Sequence, residues 1–163
     1  LIADDRFIPD DIKLKRQFLY HQRLLLSVRK DDELAKRRSI DIHELADIEL
    51  VGRNSNMGFT DWVHQAEVDN NCKVNEVGHM DYIFFATEGQ HQKRPFLMSS
   101  FGESVNVYSA SFAERVSIPV TGIYTERDIY LYYNQKYQED YALLIELIKE
   151  NARKIDMADK EEK

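Results

Sequence analysis

His43-Glu44-Leu45-Ala46-Asp47 stands one residue away from a zinc-protease signature. In that signature two histidines four positions apart on a helix hold the metal, and the glutamate beside the first acts as base. Asp47 replaces the second histidine, and Glu44 already has a use three residues after Asp41, where Asp41-Ile42-His43-Glu44 reads as a capping box. A second set of metal-type side chains comprises His64 and Glu67, which share a helix face at i and i+3, with His79 and Asp81 at the turn into a strand. Two histidines and two carboxylates would suit a divalent ion. The competing reading is a solvated helix face beside a polar turn. Neither set completes a ligand signature, so no resident metal is expected.

Nucleophiles are present without the surroundings that activate them. Ser99, Ser100, Ser104, Ser109 and Ser111 form no Gly-x-Ser-x-Gly elbow, and Gly102-Glu103-Ser104 lacks its second glycine. Cys72 beside Lys73 could be a thiolate near His64 or His79, but a half-buried structural thiol is the commoner role. No phosphate-cradling glycine motif and no dinucleotide fingerprint occurs, so no cofactor is expected.

Aromatic residues are the more telling feature. Tyr124, Tyr130, Tyr132, Tyr133, Tyr137 and Tyr141 gather toward the end of the chain, with Tyr82, Phe84 and Phe85 earlier. Along 129–134 the two-residue period puts Ile129, Leu131 and Tyr133 on one face and Tyr130 and Tyr132 on the other. The first face is the expected core, which leaves Tyr130 and Tyr132, with Tyr124 and Tyr82, as the residues expected to meet a ligand or partner.

Two kinds of element must position these groups. Residues 11–30 read as a helix, with Leu14, Phe18, His21, Leu25 and Val28 on one stripe. If that helix continues, Arg16, Arg23, Lys30 and Arg37 line another side at seven-residue spacing. A short helix near 42–50, a loop over 52–58 and a helix capped by Thr60 follow. From Cys72 the period changes to two, predicting strands at 72–77, 81–87, 96–101, 105–112, 116–125 and 129–134. Glu126-Arg127-Asp128 would turn the last two into a hairpin. Residues 136–155 read as a helix with Tyr137, Tyr141, Leu144, Ile148, Ala152 and Ile155 on one stripe, ahead of a frayed charged tail over 156–163. The class is α+β: one mostly antiparallel sheet of five or six strands flanked by N-terminal helices and a C-terminal amphipathic helix.

Composition bounds the function. The chain has 163 residues, 43% of them hydrophobic and 31% charged, which predicts one globular domain over 1–155. The start at Leu1 is read as a sign of a fragment joined to another domain. No apolar run approaches the roughly 18 residues of a membrane span, and the single cysteine fits a reducing compartment, so a cytoplasmic protein is expected. The net charge of −7 lacks the footprint of a nucleic-acid binder, although residues 13–38 carry nine basic side chains against three acids. That basic segment is the one place where nucleic acid could bind. Continuous apolar stripes on both long helices predict self-association as a dimer.

Gly78-His79-Met80-Asp81-Tyr82-Ile83-Phe84-Phe85 followed by Phe96-Leu97-Met98-Ser99 resembles the core of the PD-(D/E)XK nucleases, an Asp-led strand beside a second strand. That family needs Glu-x-Lys on the second strand, where this chain has Met98, Ser99 and Ser100. The element order, and Ser117-Ile118-Pro119-Val120 leading through a hairpin to an amphipathic helix, resembles in outline the GAF, PAS and profilin-like modules. The likeness implies a regulatory domain with a pocket between sheet and helices. The sequence therefore predicts a non-catalytic sensor or interaction module with an aromatic-lined pocket or interface, and as alternative a metal-assisted hydrolase or degenerate nuclease-like domain using His64, Glu67, His79 and Asp81.

Overall fold

The computed structural model describes residues 1–7, 13–53, 58–80, 91–101 and 113–161. Its strands are β1 (Ile2–Ala3), β2 (Lys15–Arg29), β3 (Ile40–Asp41), β4 (Leu50–Arg53), β5 (Glu76–Met80), β6 (Phe96–Ser99), β7 (Arg115–Thr121) and β8 (Glu126–Tyr133). The α-helices described over their whole length are α1 (Phe59–Asn70) and α2 (Ala142–Glu161), with short 3-10 turns among the described residues. The fold is mixed α/β with a mostly antiparallel sheet and few helices. It divides into two compact units, residues 1–22 with 127–163, and residues 23–126.

The helix predicted over 11–30 is instead the strand β2. The reason lies in its second half. Leu24, Leu26 and Val28 enter the large core of the second unit, whereas Leu25, pointing the opposite way, packs with Phe96 and Met98. A strand covered on both faces carries a continuous apolar run, and any such run contains a subset at helical spacing. The arginine stripe falls with the helix, because residues seven apart on a strand face opposite sides.

In the second unit β2 lies between β6 and β7, antiparallel to both, with Leu26 opposite Leu97 and Ile118, and β3 pairs parallel with β7. β4 and β5 form a separate parallel pair. Gly52 belongs there for a steric reason: a Cβ at that position would collide with the Glu76 carboxylate and the His79 ring. The capping box at Asp41 is present, starting a 3-10 turn over Ile42–Ala46 rather than a helix to residue 50. Helix α1 begins one residue before Thr60, after Gly58 in the left-handed conformation, so Thr60 is not its cap. Trp62, Val63 and Ala66 bury its inner face.

In the first unit β8 lies between β1 and β2, with Ile2 opposite Leu131. Since β7 and β8 each pair with β2, the predicted hairpin between them does not form; the turn that joins them falls at 122–125. Leu19, Ile129 and Leu131 pack with Ile145 and Ala152 of α2, supported by Tyr20, Tyr133 and Ile148. The buried face of α2 is thus turned from the predicted stripe: Ile145 replaces Leu144, which is 53% exposed, and Tyr141 is also exposed. The predicted strands 81–87 and 105–112 lie outside the described residues.

Candidate functional site

Tyr130 and Tyr132 do point away from Ile129 and Leu131, onto a face that also carries the start of β2. There the rings form a chain: Phe18 meets Tyr130 edge-on at 5.9 Å, and Tyr130 meets Tyr132 at 6.2 Å. The Arg16 guanidinium lies over the Tyr130 ring at 5.1 Å and pairs with Asp5, which also accepts the Tyr132 hydroxyl. The Tyr132 hydrogen bond, with help from Arg16, holds the Asp5 carboxyl below its ordinary value. Burial and the Asp5 contact push the Tyr132 phenol up to about 12, so it stays a donor. Tyr130 donates to Asp128 at 3.3 Å, and the other Asp128 oxygen faces His21 Nδ1 at 2.9 Å.

This face joins what the sequence reading opposed. The aromatic group and the basic residue Arg16 are one surface, with the cation stacked on the phenol. Beneath it runs a buried polar line, in which Arg127 donates to Asp4 and to Gln22. Arg16 and Tyr130 arrive from strands far apart in the sequence, and no local spacing announces that meeting. The alternation along 129–134 was the available signal.

Tyr124 is placed otherwise. It sits in the 122–125 turn of the second unit with φ of 56°, half-buried against the core, and its carbonyl accepts the Trp62 Nε1 proton at 2.8 Å. Tyr82 and Asp81 lie outside the described residues.

The remaining metal-type side chains pair off rather than converge. Glu67 accepts the Val74 amide at 2.7 Å and faces His64 at 3.4 Å, and Glu76 faces His79 at 3.4 Å. Burial and the nearby Glu67 charge raise the Glu76 carboxyl, against the pull of His79. Among the described residues no three histidine, cysteine or carboxylate side chains gather as a metal site. Burial first, then Glu67 and Asp41, push the Cys72 thiol up, the opposite of what a nucleophilic thiolate needs. Arg115, a buried cation of the second unit, donates to the carbonyls of Ser27, Gln92 and Arg94 and to the Ser27 hydroxyl. Its guanidinium lies 4.4 Å over the Phe96 ring, and desolvation lowers it to about 10, which leaves it charged at neutral pH.

No protein-family model matches the chain, and no curated protein matches it in sequence. Solved structures do match it in fold. CbnR, a LysR family transcriptional regulator, aligns at 11% identity over 84% of this chain and 46% of its own, with a TM-score of 0.60. The CcmR regulatory domain of Synechocystis PCC6803 in complex with 2-PG aligns at 17% identity over 93% and 72%, TM-score 0.64. The effector-binding domain of QuiR in complex with shikimate aligns at 18% identity over 88% and 69%, TM-score 0.60. The chain spans about half the length of CbnR and roughly 70% of the two isolated domains. The outline it shares is therefore that of LysR-type regulatory domains, in place of the GAF, PAS and profilin outline suggested by the element order.

Proposed function

We propose that this chain is a non-catalytic regulatory module that senses a small-molecule effector and belongs to a longer transcriptional regulator. The observation that carries the reading is its fold, shared with an effector-binding domain and a regulatory domain each solved with a small molecule. Fold by itself does not assign a function, so the reading also draws on the site. The Arg16–Tyr130–Tyr132 face offers an apolar ring and two phenols beside the Arg16–Asp5 ion pair, a combination suited to a small organic molecule with apolar and polar groups on one skeleton. In this reading Tyr130 and Tyr132 are ligand or partner contacts. Tyr124 and Tyr82 are proposed as further ones.

The same reading places the protein in the cytoplasm, where no helix among the described residues needs to cross a membrane. Dimerisation would use α2, whose Leu143, Leu144 and Leu147 are exposed. DNA contact would belong to a further domain, as the full-length CbnR complex with its target DNA invites.

Thermal-shift and calorimetric titration against a panel of small organic acids, 2-PG and shikimate included, tests the proposal. Saturable binding without turnover, weakened by Tyr130→Ala in a folded variant, is the expected result. Binding that survives Tyr130→Ala would remove this face from the site. Conversion of any panel member to product would overturn the non-catalytic reading.

A further inference from the structure

His43 has both ring nitrogens committed to acceptors. Nδ1 faces Asp41 Oδ1 at 2.7 Å, and Nε2 faces the Asn70 backbone oxygen at 2.9 Å. A neutral imidazole carries one N–H and can satisfy only one of these, so only the imidazolium donates to both. The Asn70 carbonyl closes α1, where the helix dipole places partial negative charge, and Asn71 beyond it turns left-handed with φ of 50°.

Asn70 is itself a junction. Its side-chain amide donates to the Ala66 and Ile123 carbonyls, at 2.6 and 2.8 Å, and its Oδ1 accepts the Ile123 amide at 2.8 Å. The 122–125 turn, with Tyr124 in its strained backbone conformation, is thus hung from the residue that His43 grips. Gly122 tightens the arrangement, since a Cβ there would meet Ile42 and the Asn70 Oδ1.

We propose that His43 is a pH-sensitive clasp: as the imidazolium it ties the Ile42–Ala46 turn to the end of α1, and loss of its proton frees Asn70 and loosens the 122–125 turn. The charged surroundings are consistent. Asp41 is the carboxylate facing the ring, and its contacts with the His43 amide and ring hold it ionised. Glu44, on the same turn, is spent on Arg37 and the Asp41 amide. From α1 and the segment after it, Glu67 is bound to the Val74 amide, and Cys72 feels the charges of both Glu67 and Asp41. The Asp41 hydrogen bond, then the Asn70 carbonyl, raise the His43 ring above its ordinary value of 6.5. A raised folded value means the stabilisation is complete below about pH 6.5 and is lost as pH rises through the higher folded value.

Nitrogen-detected NMR of the histidine rings across pH 5–9 in the whole chain tests the clasp. The expected result is a His43 ring protonated on both nitrogens at the acid end that loses one proton at a midpoint above 6.5, with the Asn70 and Ile123 amides shifting at the same midpoint. Asp41→Asn keeps a cap acceptor for the His43 amide but removes the charge, and should lower that midpoint. In His43→Gln the Ile123 shift should vanish; if that variant does not fold, the native titration and Asp41→Asn decide. A His43 midpoint at or below 6.5, or an Ile123 amide indifferent to pH while His43 titrates, would overturn the proposal.

Discussion

The two units of this chain are built to different standards of enclosure. The second buries Trp62, Leu24, Leu26, Ile40, Ile42, Leu45, Leu50 and Ile118 almost completely in one cluster. The first, among the described residues, rests on a cluster of five buried apolar residues around Leu131 and Ile145. Exposure runs the other way: Leu1, Ile2, Phe18, Tyr137, Tyr141, Leu143, Leu144 and Leu147 are exposed in the first unit, against Val68, Val77, Phe101 and Ile123 in the second. The small unit compensates with polar and stacked contacts, the Asp4–Arg127–Gln22 line and the Arg16–Tyr130 stack among them. A unit held by few apolar contacts opens more readily than one with a closed core, and binding surfaces are drawn from such regions.

Substitutions can break this contrast. Trp62→Ala should cost most, about 3–5 kcal/mol, because it empties a fully buried site and strands the Tyr124 carbonyl. Urea denaturation would measure it; a loss below about 1 kcal/mol would mean that the large core is not the dominant one. Arg115→Met follows at about 3 kcal/mol. It leaves the carbonyls of Ser27, Gln92 and Arg94 without their donor; the Ser27 acceptor is buried and costs about 1–3 kcal/mol if unsatisfied, and the two part-buried ones add less.

In the first unit Ile145→Ala should cost about 2 kcal/mol, near the low end for such truncations, since the small core can collapse around the gap. Hydrogen exchange sharpens the test: Ile145→Ala should speed exchange in β8 and α2 while β6 and β7 keep their protection. Uniform acceleration would show that the two units open as one. The smallest effect is expected for Tyr132→Phe. It removes the hydroxyl that donates to Asp5 and should cost about 1 kcal/mol or less. The same variant should release Asp5 toward its ordinary carboxyl value, readable by carbon-detected titration.

Local chemistry was legible in the sequence wherever a contact joins near neighbours. The Asp41–Glu44 capping box needs three residues and occurs as read. The alternation of Ile129 and Leu131 against Tyr130 needs only the strand period, although Tyr132 is more enclosed than a surface ring would be, because β1 and Asp5 cover it. What failed was global. Leu24-Leu25-Leu26 is ambiguous until one knows that Phe96 and Ile118 approach β2 from either side. The inner stripe of α2 takes Ile145 rather than Leu144 because the choice between adjacent residues is made by packing against Leu19, Ile129 and Leu131, which no local period reveals. The candidate surface is least legible, since Asp5, Arg16 and Tyr130 come from three separate elements.

The placement of β2 also bears on how the chain is made. Arg115 reaches back 88 positions to Ser27, and the whole of β7 pairs at comparable separation. At a synthesis rate of about 5–20 residues per second, Leu24, Leu25 and Leu26 leave the ribosome on the order of 5–20 s before their last neighbour arrives. During that interval a triple-leucine strand with high affinity for any unpaired edge is exposed, which makes early β2 the segment a chaperone would need to hold.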